Sequence, residues 1–134
     1  MSYVVRAETP PVEVYQRLRV AAGLSPKSTE AATAGLAGTW IAVVAYHEDR
    51  PVGMGRVIGD GGTAFQIVDV CVLPDHQGNG LGKQIMAALM DHLRQRAPRT
   101  AYVSLIADGD ARHLYTRYGF AETAPHSVGM ALRL

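Results

Sequence analysis

Cysteine is nearly absent: Cys71 is the one thiol in 134 residues. A single thiol cannot build an internal disulfide framework, and such scarcity fits a reducing compartment. An excess of either charge is also missing. Thirteen Lys and Arg stand against twelve Asp and Glu, a formal net charge of +1. That gives bulk electrostatics no case for a nucleic-acid partner. No apolar run approaches the ~20 residues that a membrane span needs. Residues 1–6 show no basic region leading into a long apolar stretch, so no signal peptide is expected. The expectation is a cytoplasmic chain with neither nucleic acid nor membrane among its partners. His47, His76, His92, His113 and His126 have no metal-ligand spacing, so no metal is expected. Repeats, linkers and low-complexity tracts are missing too.

What is present is an ordinary globular composition, 48% hydrophobic and 19% charged, in a length that suits one domain over residues 1–134 with a real core. Residues 2–8 suit a short strand. Thr9 is a candidate cap for a helix with prolines in its first turn, its inner face set by Val14, Leu18 and Ala21 or Ala22 up to Gly23. Ser28 precedes a second, weaker helix closed by Gly38. Residues 40–47 and 52–58 form the arms of a hairpin, with Gly53 and Gly55 weakening the second. Residues 63–73 carry the longest strand pattern, ended by Pro74. From residue 80 to 96 the period is helical, with Leu81, Ile85 and Leu89 on one face. Residues 102–106 suit a strand, Asp110 caps a short helix over 111–118, and two terminal strands follow Phe120. The order is β-α-α-β-β-β-α-β-α-β-β, an α/β (α+β) domain with a mixed sheet.

One stretch stands out, Gln77-Gly78-Asn79-Gly80-Leu81-Gly82-Lys83, between the long strand and the long helix. Glycines at alternate positions let bare backbone approach a ligand. The following helix offers unpaired N–H groups and a positive dipole end, a socket for phosphate. Two commoner phosphate motifs fail here. A P-loop needs glycine where Gln77 stands and a hydroxyl where Gln84 stands. A dinucleotide fingerprint needs glycine where Lys83 stands.

The stretch resembles motif A of the GNAT superfamily of N-acetyltransferases, Q/R-x-x-G-x-G/A, in Gln77-Gly78-Asn79-Gly80-Leu81-Gly82. Downstream, Ala111-Arg112-His113-Leu114-Tyr115-Thr116-Arg117-Tyr118-Gly119-Phe120 is similar to the family's A-x-x-L-Y-x-x-x-G-F ending. The two lie in the right order and at about the right separation. The resemblance implies a GNAT-like fold, a mixed central sheet splayed in the middle and flanked by helices, with acyl-CoA wedged into the splay. It implies an enzyme, an acetyl-CoA-dependent N-acetyltransferase that transfers the acetyl group directly to a primary amine in a ternary complex. A non-catalytic acyl-CoA-sensing module is the alternative. Acetyl-CoA is the implied co-substrate, a small-molecule, protein or peptide amine the acceptor, and a homodimer is one assembly that the resemblance allows.

Site residues follow from the same resemblance. Val70, Cys71 and Val72 would pair with the pantetheine through their backbone. Gln77, Gly78, Asn79, Gly80, Leu81, Gly82 and Lys83 would hold the diphosphate. Asp108 stands where many relatives place a cofactor-touching Asn, and a carboxylate there is repelled by phosphate. Tyr115 matches the family's general acid and lies beside the cofactor. Its phenol, with a pKa near ~10, suits a donor to the departing thiolate; a core aromatic is the other reading. Asp69 is a candidate base, directly or through water, or a holder of the ammonium, or a structural hydrogen-bonding group. Water alone is a further candidate base. Gln66 occupies a base position of some relatives but cannot titrate. It shares a face with Asp69 only if a bulge intervenes. Arg56 either pairs with Asp60 or lines the substrate mouth, and Ser104 is either a pocket hydroxyl or a plain strand residue. Cys71 is expected to be a buried small hydrophobe rather than a nucleophile. The acceptor's identity is open. Residues 17–36 and 123–129, where this fold varies, carry neither an acidic cluster for a polyamine nor the aromatics for an arylalkylamine.

Overall fold

The computed structural model describes residues 2–134. Two compact units divide the chain, one ending at Ser104 and the other running over Leu105–Leu134.

The first unit is built on a five-stranded sheet ordered β1-β2-β3-β4-β5. The strands are β1 (Val4–Ala7), β2 (Ile41–His47), β3 (Arg50–Gly59), β4 (Ala64–Val72) and β5 (Tyr102–Ser104). β1 to β4 pair antiparallel, and β5 joins β4 in parallel. Helices α1 (Val12–Ala21) and α2 (Thr29–Ala37) precede β2, and α3 (Leu81–Arg96) joins β4 to β5. That last connection is the helical crossover a parallel pair demands.

Local chemistry explains most boundaries. Ser28 caps α2, its hydroxyl accepting from the Ala31 N–H at 3.1 Å. Gly23 follows α1 in the left-handed region, φ +89°, the usual helix stop. Thr9 does not cap α1: the helix begins after Pro11 with no side-chain cap. Two consecutive prolines hold the entry extended and push the start beyond the threonine's reach.

α3 packs on a bare patch of β3. A Cβ on Gly55 would lie 2.9 Å from both Ile85 Cγ2 and Leu89 Cδ1, and one on Gly53 3.2 Å from Ile85 Cδ1. The two glycines that weaken the strand pattern are therefore what lets the helix approach. Leu81, Ile85, Met86, Leu89, Met90 and Leu93 form its buried stripe, worth on the order of 10 kcal/mol of apolar burial. On the opposite face of the sheet, Tyr15 and Leu18 of α1 and Ala32 and Leu36 of α2 close over Met54 and Cys71. The most buried residues of α1 are Tyr15, Leu18 and Arg19; Val14 and Ala22 of the expected stripe pack partly buried against the same core, and Ala21 is exposed.

The second unit holds a 3₁₀ turn (Gly109–Ala111) and the short helix α4 (Arg112–Thr116). Asp110 lies inside the 3₁₀ turn and caps nothing; α4 starts from Ala111 without a side-chain cap. The two terminal strands expected after Phe120 are not formed. Val128, Met130, Leu132 and Leu134 alternate as a strand would, but all four are exposed. Alternation makes a strand only when a partner edge takes up its hydrogen bonds.

Candidate active site

β4 and β5 part after three register pairs, Ala64–Tyr102, Phe65–Val103 and Gln66–Ser104. From Ile67 to Val72, β4 keeps β3 on one side and has no strand on the other among the described residues. Its outward N–H and C=O groups along that stretch form an open ladder edge. Gln66 and Ser104 are register partners where the strands separate, so both flank the opening on one face.

The same stretch of β4 is bent. Met54 pairs with Cys71 and Arg56 with Val68. Gly55 therefore faces two residues, Asp69 and Val70, which is a bulge. Asp69 takes it up with φ +60°, a conformation that asparagine and aspartate tolerate better than most residues. The bulge turns the Asp69 carboxylate onto the face shared by Gln66 and Val68, as its ligands show. Arg19 Nη1 donates to Oδ1 at 2.5 Å. Arg56 Nε and the Tyr15 hydroxyl donate to Oδ2 at 2.7 and 3.0 Å. Side chains of Asp69, Arg19 and Arg56 are each 8% exposed. Arg56 thus pairs with Asp69, not with Asp60.

Asp60 instead organises its own turn. It accepts from the Thr63 hydroxyl at 2.6 Å and from the N–H groups of Gly62, Thr63 and Ala64. The Thr63 hydroxyl first, then those backbone donors, hold its carboxyl well below the usual carboxylate range.

Beyond β4, a 3₁₀ turn (Pro74–His76) leads into the glycine stretch. Gly78 and Gly80 have φ +81° and +77°, and a Cβ on either would meet nothing within 4 Å. Glycine is needed here for conformation and not for space. Gly80 caps α3 without a side chain, and the first helical bond is donated by Gln84 N–H to Gly80 O. The N–H groups of Leu81 and Gly82 precede that bond, at the end of a helix whose first donors point out of its own ladder. No acid lies in the first turn of α3, which leaves the dipole's positive end uncancelled. Two polar side chains of the stretch turn back to brace it. Gln77 Nε2 donates to Val72 O at 3.0 Å. Asn79 Nδ2 donates to Tyr3 Oη, His76 O and Gln77 O. Tyr3 Oη also lies 3.0 Å from His76 Nδ1, so β1's approach is tied to the turn.

Cys71 is buried beneath this edge, its Sγ 3.9 Å from Leu18 O. Burial first, then the Asp69 charge, pushes the thiol up to about 12. It is a small core group and no nucleophile. In the second unit Tyr115 is half-buried on α4. Burial first and then the Asp108 charge raise its phenol above its ordinary value.

Sequence reasoning missed Tyr15 and Arg19, the partners of Asp69 from α1. The available signal was their i, i+4 spacing around Leu18, which puts all three on one helix face. It missed the Tyr3–His76–Asn79 brace for want of any local signal, since Tyr3 lies more than 70 positions from both of the others. A depression of about 470 Å³, lined by Val4, Arg6, Tyr46, His47 and Glu48, lies at the β1–β2 end of the sheet; no expected site residue lines it. No group of three or more metal-ligating side chains occurs among the described residues, and no described helix is long and apolar enough to cross a membrane.

Comparison with known proteins places this geometry. An Acetyltransferase (GNAT) domain model matches residues 6–133. A probable acetyltransferase of unknown function from meticillin-resistant Staphylococcus aureus is 46% identical. Its crystal structure superposes with a TM-score of 0.93, over 99% of this chain and all of that one. The ribosomal-protein-S18-alanine N-acetyltransferase of Escherichia coli shares the fold, with a TM-score of 0.77 at 19% identity over 92% of this chain and 80% of that one. Among curated proteins, the uncharacterized N-acetyltransferase ycf52 of Porphyra purpurea is 38% identical over 60% of this chain and 45% of its own. GCN5-related N-acetyltransferase 2, chloroplastic, of Arabidopsis thaliana is 36% identical over 60% of this chain and 30% of its own. The match thus spans less than half of these curated relatives. An open strand edge beside a glycine-bent helix start, and a family model that runs nearly the whole chain, converge: this chain belongs to the GNAT acetyltransferase family.

Proposed function

We propose that the chain is an acetyl-CoA-dependent N-acetyltransferase that passes the acetyl group directly to a primary amine, residues 1–134 serving as one catalytic domain. One observation carries this reading: the open edge of β4 over residues 67–72 runs into the uncapped, glycine-bent start of α3. An extended amide-bearing arm suits the first, and a diphosphate suits the second.

In this reading the backbone of Val70, Cys71 and Val72 pairs with the pantetheine arm. The N–H groups of residues 78–83 take the diphosphate, with Lys83 adding charge. Gln77 and Asn79 serve by bracing the loop, since their amides bond protein carbonyls. Gln66 and Ser104 line the acceptor side of the opening. Tyr115 is assigned the general-acid role from its place in the Ala111 to Phe120 motif. Its raised pKa keeps the phenol protonated, the form that can donate to a thiolate. Asp69 is assigned to the bulge. Both of its oxygens are engaged by guanidinium groups, and taking up a proton would break those bonds, so deprotonation of the amine falls to water.

The test is to supply acetyl-CoA with a panel of amines, amino acids, aminoglycosides and peptides, and to follow free CoA with a thiol reagent. Release of CoA with at least one amine is expected. Tight acetyl-CoA binding with no release from any amine would replace the enzyme by a sensing module.

A further inference from the structure

The cluster around Asp69 does not balance its charge. Arg19 and Arg56 are two guanidinium groups, always protonated, and they share one carboxylate. Their other partners are neutral. Arg19 also donates to Ser25 O and Ser25 Oγ, and Arg56 to Gly35 O and Thr39 Oγ1. The Tyr15 hydroxyl is a donor to Asp69, not an acceptor for either arginine. The charges that act on the neighbouring Tyr15 hydroxyl and Cys71 thiol are those of Asp69, Arg19 and Arg56, with no second acid among them. One positive charge is therefore left over among side chains that are 8% exposed. An uncompensated charge held away from water is expensive, and a second anion relieves it.

One atom identifies where that anion binds. Nε, Nη1 and Nη2 of Arg19, and Nε and Nη1 of Arg56, all have protein acceptors. Arg56 Nη2 takes part in none of these bonds, and no fully buried side-chain nitrogen or oxygen of the described residues lacks a partner. Nη2 is therefore the corner of the cluster that solvent reaches. Its strand neighbour across β3–β4 is Val68, two positions from Gln66 on the same face. Gln66 in turn faces Ser104 at the opening. A single strand spacing, about 4.8 Å, separates β3 from β4, so Arg56 stands one strand in from the opening, on the face that Gln66 shares.

We propose that Arg56, through Nη2 and backed by the surplus charge of the Arg19–Asp69–Arg56 cluster, is an anion subsite for the acceptor: the amine to be acetylated carries a carboxylate or phosphate. This rests on the N-acetyltransferase reading above and names the substrate class of that same site. A guanidinium N–H donating to an anionic oxygen is a charge-assisted bond, and it discriminates against a substrate that leaves it unmet.

The experiment uses matched amines that differ by one anionic group: phenylethylamine against phenylalanine, putrescine against ornithine, and glucosamine against glucosamine 6-phosphate. The first two pairs test a carboxylate and the third a phosphate. Both kcat/KM by CoA release and calorimetric affinity for the acetyl-CoA-loaded protein are measured. At least one acid-bearing member should be preferred by tenfold or more. Arg56→Gln should erase that preference and Arg56→Lys should keep part of it, with KM for acetyl-CoA unchanged in both. Equal treatment of the two members in every pair by the wild-type chain overturns the proposal, whether or not the variants fold. So does a preference that survives Arg56→Gln in a folded protein. If no amine supports turnover, the enzyme reading fails while the calorimetric preference still decides the anion subsite.

Discussion

Replacing Gly80 separates conformation from space. Its φ is +77°, and nothing lies within 4 Å of where a Cβ would stand. Alanine therefore adds no clash and pays only for a left-handed backbone, about 1–2 kcal/mol. Asparagine tolerates that region better, and β-branched valine worse. If the cost is met by shifting the loop to another conformation, the socket is formed only part of the time, and apparent acetyl-CoA affinity falls by the same fraction. A cost of 1–2 kcal/mol corresponds to a weakening of roughly 5- to 30-fold. The expected order of affinity is Gly80, then Gly80→Asn, Gly80→Ala and Gly80→Val. Calorimetric titration with acetyl-CoA, with circular dichroism to establish folding, reads it directly. Undiminished affinity in folded Gly80→Ala and Gly80→Val proteins would show that the loop does not hold the cofactor. An equal loss in all three variants would show that the added side chain, not the backbone angle, is what matters.

Gly55→Ala should do the reverse, destabilising by about 1–3 kcal/mol through overpacking, because its Cβ falls 2.9 Å from Ile85 and Leu89; an unchanged thermal midpoint would mean that α3 yields freely. Tyr115→Phe should lower kcat about 100-fold or more with little change in acetyl-CoA affinity, and a loss of folding would make the ring a core element. Because burial and then Asp108 raise the Tyr115 pKa, the alkaline limb of kcat should lie above pH ~10, and Asp108→Asn should move it down; an unmoved limb refutes the coupling. Asp60 has a depressed folded-state pKa, so its contribution is present above the unfolded value near ~3.9 and is lost as pH falls below it. Thermal midpoints of wild type and Asp60→Asn should therefore converge at acid pH, and a constant gap from pH 6 to pH 2 would refute this.

Local patterns survived into the structure where the local rule decides the conformation. The 3.6 period of α3, the helix that follows Ser28 and the glycine-rich turn before α3 depend on neighbours a few positions away. The parts that were not legible depend on distant partners. The Arg56–Asp69 pair needs the bulge, and the bulge needs both strands in register. Val128, Met130, Leu132 and Leu134 show how a strand pattern overreaches, since alternation says which face is apolar but not whether an edge is there to receive it. For the candidate site, the glycine stretch stood out, and so did Arg56, though with Asp60 rather than Asp69 as its expected partner. Tyr15 and Arg19 did not, since each looks from sequence like an ordinary polar residue on a helix.

The lone thiol makes the fold its own reporter. Cys71 is buried, and its acidity is weakened to about 12, so at neutral pH almost no thiolate exists to meet a reagent. In the thiol-based assay for CoA the folded chain should therefore contribute no background. Labelling of the protein itself should wait for β4 to come away from α1 and expose the sulfur. The rate of that labelling then measures how often the sheet opens at the very strand that bears the open edge. Acetyl-CoA bound along that strand should slow it in proportion to occupancy.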